Sequence, residues 1–264
     1  MPHSMDRLLS IMARLRDRDG GCPWDLEQNF ATIAPHTLEE AYEVVEAIES
    51  GDKAALKDEL GDLLFQIVFY AQMADEEGSF DFDQVAGAIS DKMIRRHPHV
   101  FGDAEMADPR THIRLWEEQK AAERAAKDAA GTLDGVSVSL PALSRAVKLQ
   151  KRVARVGFDW PDTEQVFDKL TEEIGELRAE LGENPDPERV ADEMGDILFV
   201  CANLARKLGV DPETALRACN RKFERRFRHI ETSLAEEGRR PEDATLEEME
   251  ELWVDAKRLE KQNG

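Results

Sequence analysis

Cysteine is scarce in this sequence, and the three cysteines that occur are far apart. Cys22, Cys201 and Cys219 form no CxxC pair and are odd in number. Secreted disulfide-stabilised domains have a denser, paired framework. This usage fits a reducing compartment, and we expect a cytoplasmic protein in which Cys201, beside Val200 in an apolar segment, is a buried thiol.

Long apolar runs and excess positive charge are also missing. No segment approaches the length of a membrane span, and the first residues form no signal-peptide-like stretch. The net charge of -21 opposes nonspecific binding to nucleic acids and anionic membranes, which require a basic surface. We therefore expect neither partner, although a local basic patch could still bind a phosphate.

The motifs of several enzyme classes are absent as well. The phosphate loop Gly-x-x-x-x-Gly-Lys-Ser/Thr does not occur, so a bound nucleotide would be held by side chains and metal. No Ser/His/Asp or Cys/His arrangement is evident. Water is therefore the expected nucleophile.

Two short acidic clusters stand out in the second half of the chain. They are Glu172-Glu173-Ile174-Gly175-Glu176 and Glu193-Met194-Gly195-Asp196. Residues three apart share a helix face, so Glu173 and Glu176 should converge with Glu193 and Asp196 if the two helices are antiparallel. Four close carboxylates need a compensating cation.

The ligand chemistry of these clusters favours a hard divalent ion. Carboxylate oxygens suit Mg²⁺, with Mn²⁺ as a substitute, better than zinc, copper or iron. The five acids, with Glu172 included, could hold one ion or two. A di-iron bundle is disfavoured because such bundles use Glu-x-x-His pairs, whereas these clusters end in Glu176 and Asp196.

The same pattern occurs in the first half of the chain, which distinguishes it from an ordinary solvated helix face. Glu40 and Glu43 are followed by Glu59 and Asp62 in the same order and nearly the same spacing. Further segments correspond between the halves: Lys92 to Arg96 with Lys222 to Arg226, Trp116 and Lys120 with Trp253 and Lys257, and Trp24 with Trp160. We infer an internal duplication.

The chain is predicted to be all-α, with units at 1–130 and 140–264 and a linker at 131–139 rich in glycine and serine. Around the acids, we expect helices from His36 or Thr37 to Ile48, from Asp52 onward, from Thr163 to Leu181 and from Glu188 to Leu208. Trp24 and Trp160 are placed in loops, as core plugs or as base-stacking walls.

Basic residues follow the second pair of acidic clusters. Lys222, Arg225 and Arg226 lie on the next predicted helix, and a metal together with these cations suits a polyphosphate. Glu172, the spare acid of its cluster, is a candidate general base for activating water.

The doubled EExxE and ExxD clusters, the Lys222 to Phe227 stretch, the Cys22 to Asp25 loop and Trp253 resemble the MazG family of the all-α NTP pyrophosphatase superfamily. The resemblance covers nearly the whole chain. It implies two tandem MazG-like helical bundles and a homodimer. It also implies Mg²⁺-dependent hydrolysis of nucleoside triphosphates to monophosphate and pyrophosphate, which clears unwanted nucleotides.

The resemblance also implies roles for individual residues. The metal ligands would be Glu173, Glu176, Glu193 and Asp196, and the nucleotide contacts would be Lys169, Lys222, Arg226 and Trp253. In similar proteins activity is concentrated in the second unit. A regulator that binds nucleotides at the same site without turnover is the alternative function.

The first unit differs from the second at two cationic positions. Alignment of the acids places His36 opposite Lys169, and alignment of Lys92 to Arg96 with Lys222 to Arg226 places Asp91 opposite Arg221. The anion site of the first unit should therefore be weaker. Its four acids are intact. The first unit is therefore expected to hold a second, weak metal site, to hydrolyse slowly or to serve as a scaffold.

Overall fold

The computed structural model describes residues 4–102 and 131–263, and their secondary structure is helical, without strands. The chain divides into two compact units with the boundary after Lys120. Residues 131–139 contain turns and no helix, while Trp116 and Lys120 lie outside the described residues. The all-α prediction is confirmed. The exact unit and linker bounds remain a prediction.

The first unit is built around a pair of long helices. Its helices are α1 (Ser4–Leu15), α2 (Pro23–Glu27), α3 (Phe30–Ser50), α4 (Lys53–Glu76), α5 (Phe82–Arg96) and α6 (Pro98–Phe101). Gly51, with a φ of 77°, and Asp52 form the short turn between α3 and α4. Because the connection is so short, the two helices pack as an antiparallel pair.

Two elements before the acids differ from the sequence-based expectation. α3 begins at Phe30, several residues before His36, because Asn29 caps it: the Asn29 side chain accepts hydrogen bonds from the backbone N–H groups of Ala31 and Thr32. Pro35 is accommodated inside the helix. Trp24 lies in the short helix α2, which starts at Pro23, rather than in a loop.

The core of the first unit forms where α1, α3 and α4 meet. Its buried side chains are Met12, Ile33, Val68, Phe69 and Met73. This apolar contact fixes α4 against α3 and therefore fixes the register between the acids that the two helices carry.

The second unit repeats this plan. Its helices are α7 (Ala142–Ala154), α8 (Glu164–Glu180), α9 (Pro187–Lys207), α10 (Pro212–Glu236) and α11 (Leu246–Asn263), with a 3₁₀ turn at Pro241–Asp243. α8 and α9 pack along each other, α7 packs against α9, and α10 packs against α11. Asp186 caps α9 and Asp211 caps α10 through side-chain hydrogen bonds. The predicted acid-bearing helices of the second unit are confirmed to within one residue at each end.

Several apolar side chains of α9 lie on the surface of the second unit. Met194, Leu198 and Phe199 are exposed, and so is Cys201, which contradicts the expected buried thiol. Cys201 follows the buried Val200 by one residue, and a helix turns by about 100° per residue, so the two side chains point in different directions. None of the described helices has the length and apolarity that crossing a membrane requires.

Candidate metal and phosphate site

The acids of the second unit converge between α8 and α9, as their spacing predicts. Carboxylate oxygens of Glu173, Glu193 and Asp196 lie within 4.8 Å of one another. Glu173 is buried, with only 4% of its surface exposed, while Glu193 is half-buried and Asp196 is exposed. Such a set of hard oxygen ligands suits a divalent ion of the Mg²⁺ type.

Glu176 joins this cluster through Glu173 rather than directly. It is exposed and shares a hydrogen bond with the Glu173 carboxyl group. This hydrogen bond, with burial and the charge of Glu173, raises the pKa of Glu176. The fourth predicted ligand is therefore adjacent to the other three acids but lies outside the closest group.

Lys169 supplies a positive charge to the cluster from one turn earlier in α8. Its Nζ atom lies 2.8 Å from Glu173 and 2.7 Å from Glu172. The hydrogen bonds to Glu172 and Glu173 raise the pKa of Lys169 far above its usual value, and the same contact lowers the pKa of Glu173. Glu172, the candidate general base, is thus paired with Lys169.

The pKa of Glu193 is shifted in the opposite direction from that of Glu173. Burial, followed by repulsion from Glu173 and Asp196, raises the pKa of its carboxyl group. A proton on Glu193 relieves that repulsion, and a divalent cation would relieve it more fully.

The predicted phosphate contacts lie on α10 and α11. Arg226 forms an ion pair of 2.8 Å with Glu260, and Arg225 forms one of 3.2 Å with the same carboxylate. The Arg226 guanidinium also lies 5.4 Å from the centre of the Trp253 ring. The sequence contained no signal for the role of Glu260, which holds both arginines in place.

Aromatic side chains lie beside these arginines on the surface that α10 and α11 share. Phe223 is exposed and its ring centre lies 5.2 Å from that of Trp253. Lys222 is exposed beside it. The arrangement offers cations and aromatic rings together, which suits a phosphorylated ligand that carries a base.

The acids of the first unit also converge. Oxygens of Glu40, Glu43 and Glu59 lie within 4.8 Å of one another, and Asp62 is near enough to raise the pKa of Glu40, although burial is the larger cause. His36, at the position of Lys169, lies 3.5 Å from Glu39.

The two tryptophans that precede the acid-bearing helices have different surroundings. Trp24 is 53% exposed and is not a core plug. Trp160 is half-buried and lines a shallow pocket with Phe158, Pro161 and Gln165. Neighbouring Asp159 pairs with Arg206 and Lys207, which anchors this loop to the end of α9.

The doubled acid-bearing helix pair corresponds to a known domain. The MazG nucleotide pyrophosphohydrolase domain matches the chain twice, at residues 28–101 and 162–231. The chain belongs to the MazG family. Both acid clusters fall within the matched segments, so the predicted duplication is a duplication of the MazG domain.

Two similar proteins span the same length as this chain, and a third is longer. The nucleoside triphosphate pyrophosphohydrolase of Escherichia coli strain K12 is 53% identical over 259 residues, which cover 98% of each chain. The nucleoside triphosphate pyrophosphohydrolase/pyrophosphatase MazG of Thermotoga maritima is 41% identical over 252 residues, 96% of this chain and 95% of that protein. The Bacillus subtilis protein YabN is 42% identical over 99% of this chain and 53% of its own length.

Proposed function

We propose that this MazG protein hydrolyses nucleoside triphosphates between the α and β phosphates, producing a nucleoside monophosphate and pyrophosphate. The reaction would use Mg²⁺, with Mn²⁺ as a substitute, in the second unit. The convergence of Glu173, Glu193 and Asp196 beside Lys169 carries this proposal. The names of the E. coli and T. maritima relatives support the reaction class.

The donor set fits the proposed ion. Glu173, Glu193 and Asp196 would hold it, with Glu176 as a further ligand next to Glu173. When bound, the ion would offset the negative charge that develops on the phosphate oxygens during hydrolysis. The acids are too close to one another to remain ionised together without such compensation.

The remaining steps belong to side chains of the second unit. Lys169 would exchange Glu172 and Glu173 for a substrate phosphate. Glu172, released from Lys169, would accept a proton from the water that attacks the α phosphorus. The new P–O bond forms as the bond to the bridging oxygen breaks, and pyrophosphate leaves with that electron pair.

The surface of α10 and α11 would bind the rest of the nucleotide. Lys222, Arg225 and Arg226 would contact phosphates, and Trp253 would stack on the base or sugar. Because Arg226 already lies over the Trp253 ring and is fixed by Glu260, the two side chains form one preorganised surface. Such preorganisation reduces the entropy lost on binding.

We also infer a cytoplasmic homodimer that clears unwanted nucleotides. The exposed apolar side chains of α9, among them Leu198 and Phe199, support a second copy covering this face. Sedimentation velocity should show dimers of the unaltered protein and monomers of Leu198→Glu. Val138→Glu, which alters an exposed valine in residues 131–139, should leave the dimer intact, and monomers of the unaltered protein would contradict the inference.

The hydrolysis proposal is tested by identifying the products. A panel of nucleoside triphosphates with Mg²⁺ should yield monophosphate and pyrophosphate. Glu176→Gln should reduce turnover by at least about 100-fold, since a ligand is lost, while Asp168→Asn removes an exposed charge from the same helix and should have little effect.

Other products, or the absence of products, would contradict the hydrolysis proposal. Diphosphate and orthophosphate would overturn the bond assignment. Tight nucleotide binding without turnover would replace the enzyme by the nucleotide-binding regulator. If Glu176→Gln keeps full activity and an unchanged helical circular dichroism spectrum, the assignment of the site to the second unit is wrong.

A further inference from the structure

A buried imidazole nitrogen lies between the two helices that carry the proposed nucleotide contacts. The Nε2 atom of His229, on α10, is buried and has no hydrogen-bond partner among the described residues. It lies 3.5 Å from Oδ2 of Asp255, on α11. This distance exceeds the usual range for an N–H···O hydrogen bond, so the two side chains are close without being joined by one.

Asp255 is close in the chain to the proposed base contact. It follows Trp253 by two residues and precedes Ala256, which is buried with 5% of its surface exposed. The Trp253 ring contacts Phe223 and the Arg226 guanidinium, both of α10. A change in the contact between Asp255 and α10 should therefore change how Trp253 lies on α10.

The helix α11 has little apolar burial to hold it in place. Among its described side chains, Ala256 is the only fully buried one, whereas α10 buries Ile230 and Leu234. The small alanine side chain contributes little hydrophobic stabilisation. Polar contacts with α10 should therefore determine how firmly α11 is docked.

Two arginine ion pairs hold α11 on either side of this contact. Near the start of the helix, Glu248 lies 2.9 Å from Arg239, in the turn after α10. Near its end, Glu260 lies 2.8 Å from Arg226. Arginine is always charged in proteins, so a change of pH near neutrality leaves both pairs intact. The contact between them differs, because histidine changes its charge near neutral pH.

Asp255 is the acid that would pair with a protonated His229. Among the described residues it is the only acid within ion-pair distance of this imidazole, and α7, α9 and the 3₁₀ turn, which also pack against α10, contribute none. Neighbouring cations have other partners: Arg258 of α11 binds the Oδ1 atom of Asp255, and Arg228 pairs with Glu224 of its own helix. The Oδ2 atom of Asp255 therefore faces the imidazole.

We propose that His229 is a positioning residue of the nucleotide surface, whose protonated imidazole binds Asp255 and draws α11, with Trp253, against α10. The inference rests on the nucleotide role proposed for Trp253. A protonated imidazole donates from both nitrogens, and its hydrogen bond to a carboxylate is charge-assisted. The contribution of this contact is thus present in mild acid and is lost as the pH rises and the imidazole becomes neutral.

This dependence on pH is opposite to that of the metal site. The pKa values of Glu176 and Glu193 are raised, so a fall in pH brings protons that compete with a metal for these acids. A proton on His229 instead strengthens the surface that would hold the base. Nucleotide binding should therefore be tightest at pH values between these two titrations.

The first test is hydrogen exchange of the α11 backbone amides, measured by mass spectrometry on the full chain with EDTA and without nucleotide. His229→Gln removes the titratable ring and keeps a polar side chain. Because His229 and Asp255 are both partly exposed, α11 should exchange only about threefold faster in this variant than in the unaltered protein at about pH 6, and equally fast at about pH 8. Arg228→Gln, at an exposed neighbouring position, should match the unaltered protein at both pH values.

The second test measures the affinity of the full chain, with Mg²⁺, for a nucleoside triphosphate analogue that has a methylene group between the α and β phosphorus atoms. His229→Gln should weaken binding by about threefold at about pH 6 and leave it unchanged at about pH 8. In a Trp253→Ala background, His229→Gln should have no further effect at either pH, because the imidazole acts through α11 and Trp253.

Several results would contradict the role of His229. Equal exchange of α11 in His229→Gln and the unaltered protein at about pH 6 would overturn it, as would faster exchange without any loss of analogue affinity. Asp255→Asn should reproduce the profile of His229→Gln, and it supplies the decisive result if circular dichroism shows that His229→Gln fails to fold. Absence of analogue binding by the unaltered protein at both pH values would instead contradict the hydrolysis proposal, on which this inference rests.

Discussion

The ammonium group of Lys169 lies 2.8 Å from the carboxylate of Glu173, the most buried acid of the second cluster. Both side chains come from α8 and are separated by one helical turn. The second unit thus contains its own counter-charge for the site at which we place the metal. The first unit has no equivalent pair among its described residues.

Replacement of Lys169 should have opposite effects on metal and on nucleotide. In Lys169→Met, Glu173 is no longer neutralised, so Mn²⁺ affinity of the second unit without nucleotide should increase by about tenfold. Triphosphate binding should weaken because a phosphate contact is lost. Mn²⁺ titration in a Glu43→Gln background isolates the second unit, and Lys148→Met, an exposed lysine of α7, controls for the change in net charge.

Metal binding to the second unit should weaken in acid. The pKa values of Glu176 and Glu193 are raised. Protons therefore compete with the metal at pH values above the range in which carboxyl groups usually titrate. Apparent Mn²⁺ affinity should fall, by up to about tenfold per pH unit for each displaced proton. Glu193→Gln should flatten the profile, and an unchanged slope in that variant would exclude Glu193 as a proton competitor.

Glu193→Gln should stabilise the metal-free protein at neutral pH. A carboxyl group with a raised folded-state pKa contributes stability when protonated, and the protein loses that contribution as pH rises through the interval between the unfolded and folded pKa values. The amide has nearly the same shape and no charge. Thermal unfolding with EDTA should give a higher Tm for the variant at neutral pH, with the difference vanishing in acid.

Asp159 lies in the loop before α8, and its ion pairs should stabilise the folded protein. Burial alone would raise its pKa, but hydrogen bonds from Arg206 and Lys207 outweigh burial and lower it. Asp159→Asn leaves these cations, whose side chains are only 11% and 14% exposed, without a counter-charge. The free energy of unfolding should decrease by about 2 kcal/mol in urea.

The stability effect of Asp159→Asn should depend on pH, and a control variant should show no effect. Because the pKa of Asp159 is lowered, its contribution is present above the unfolded-state pKa and is lost only as pH falls through the folded-state value. The difference between Asp159→Asn and the unaltered protein should therefore disappear in strong acid. Glu183→Gln, in the exposed turn before α9, should not change stability.

Helical periodicity was sufficient to predict that the acids converge. Glu193 and Asp196 share a face because they are three residues apart, and the short turns before α4 and α9 make each helix pair antiparallel. The contact of Lys169 with Glu173 could also have been predicted from the sequence, since a Lys and a Glu four residues apart face each other on a helix. From the sequence, Lys169 was expected only to contact the nucleotide.

Other features depend on packing that local sequence does not record. The contact of His229 with Asp255 belongs to no motif, and it follows from how α11 packs against α10. The sequence predicted that α3 begins at His36 or Thr37, yet the Asn29 cap starts the helix at Phe30. The exposure of Cys201 depends on which face of α9 the other helices of the unit cover.

The one-turn spacing of Lys169 and Glu173 also affects the order of folding. A contact between residues four apart can form with the helix itself, in roughly 0.1–1 μs, before α8 meets α9. The buried acid of α8 is thus already neutralised when it approaches Glu193 and Asp196. The α3–α4 pair must close against the full repulsion of its acids, unless a cation from solution joins it during folding.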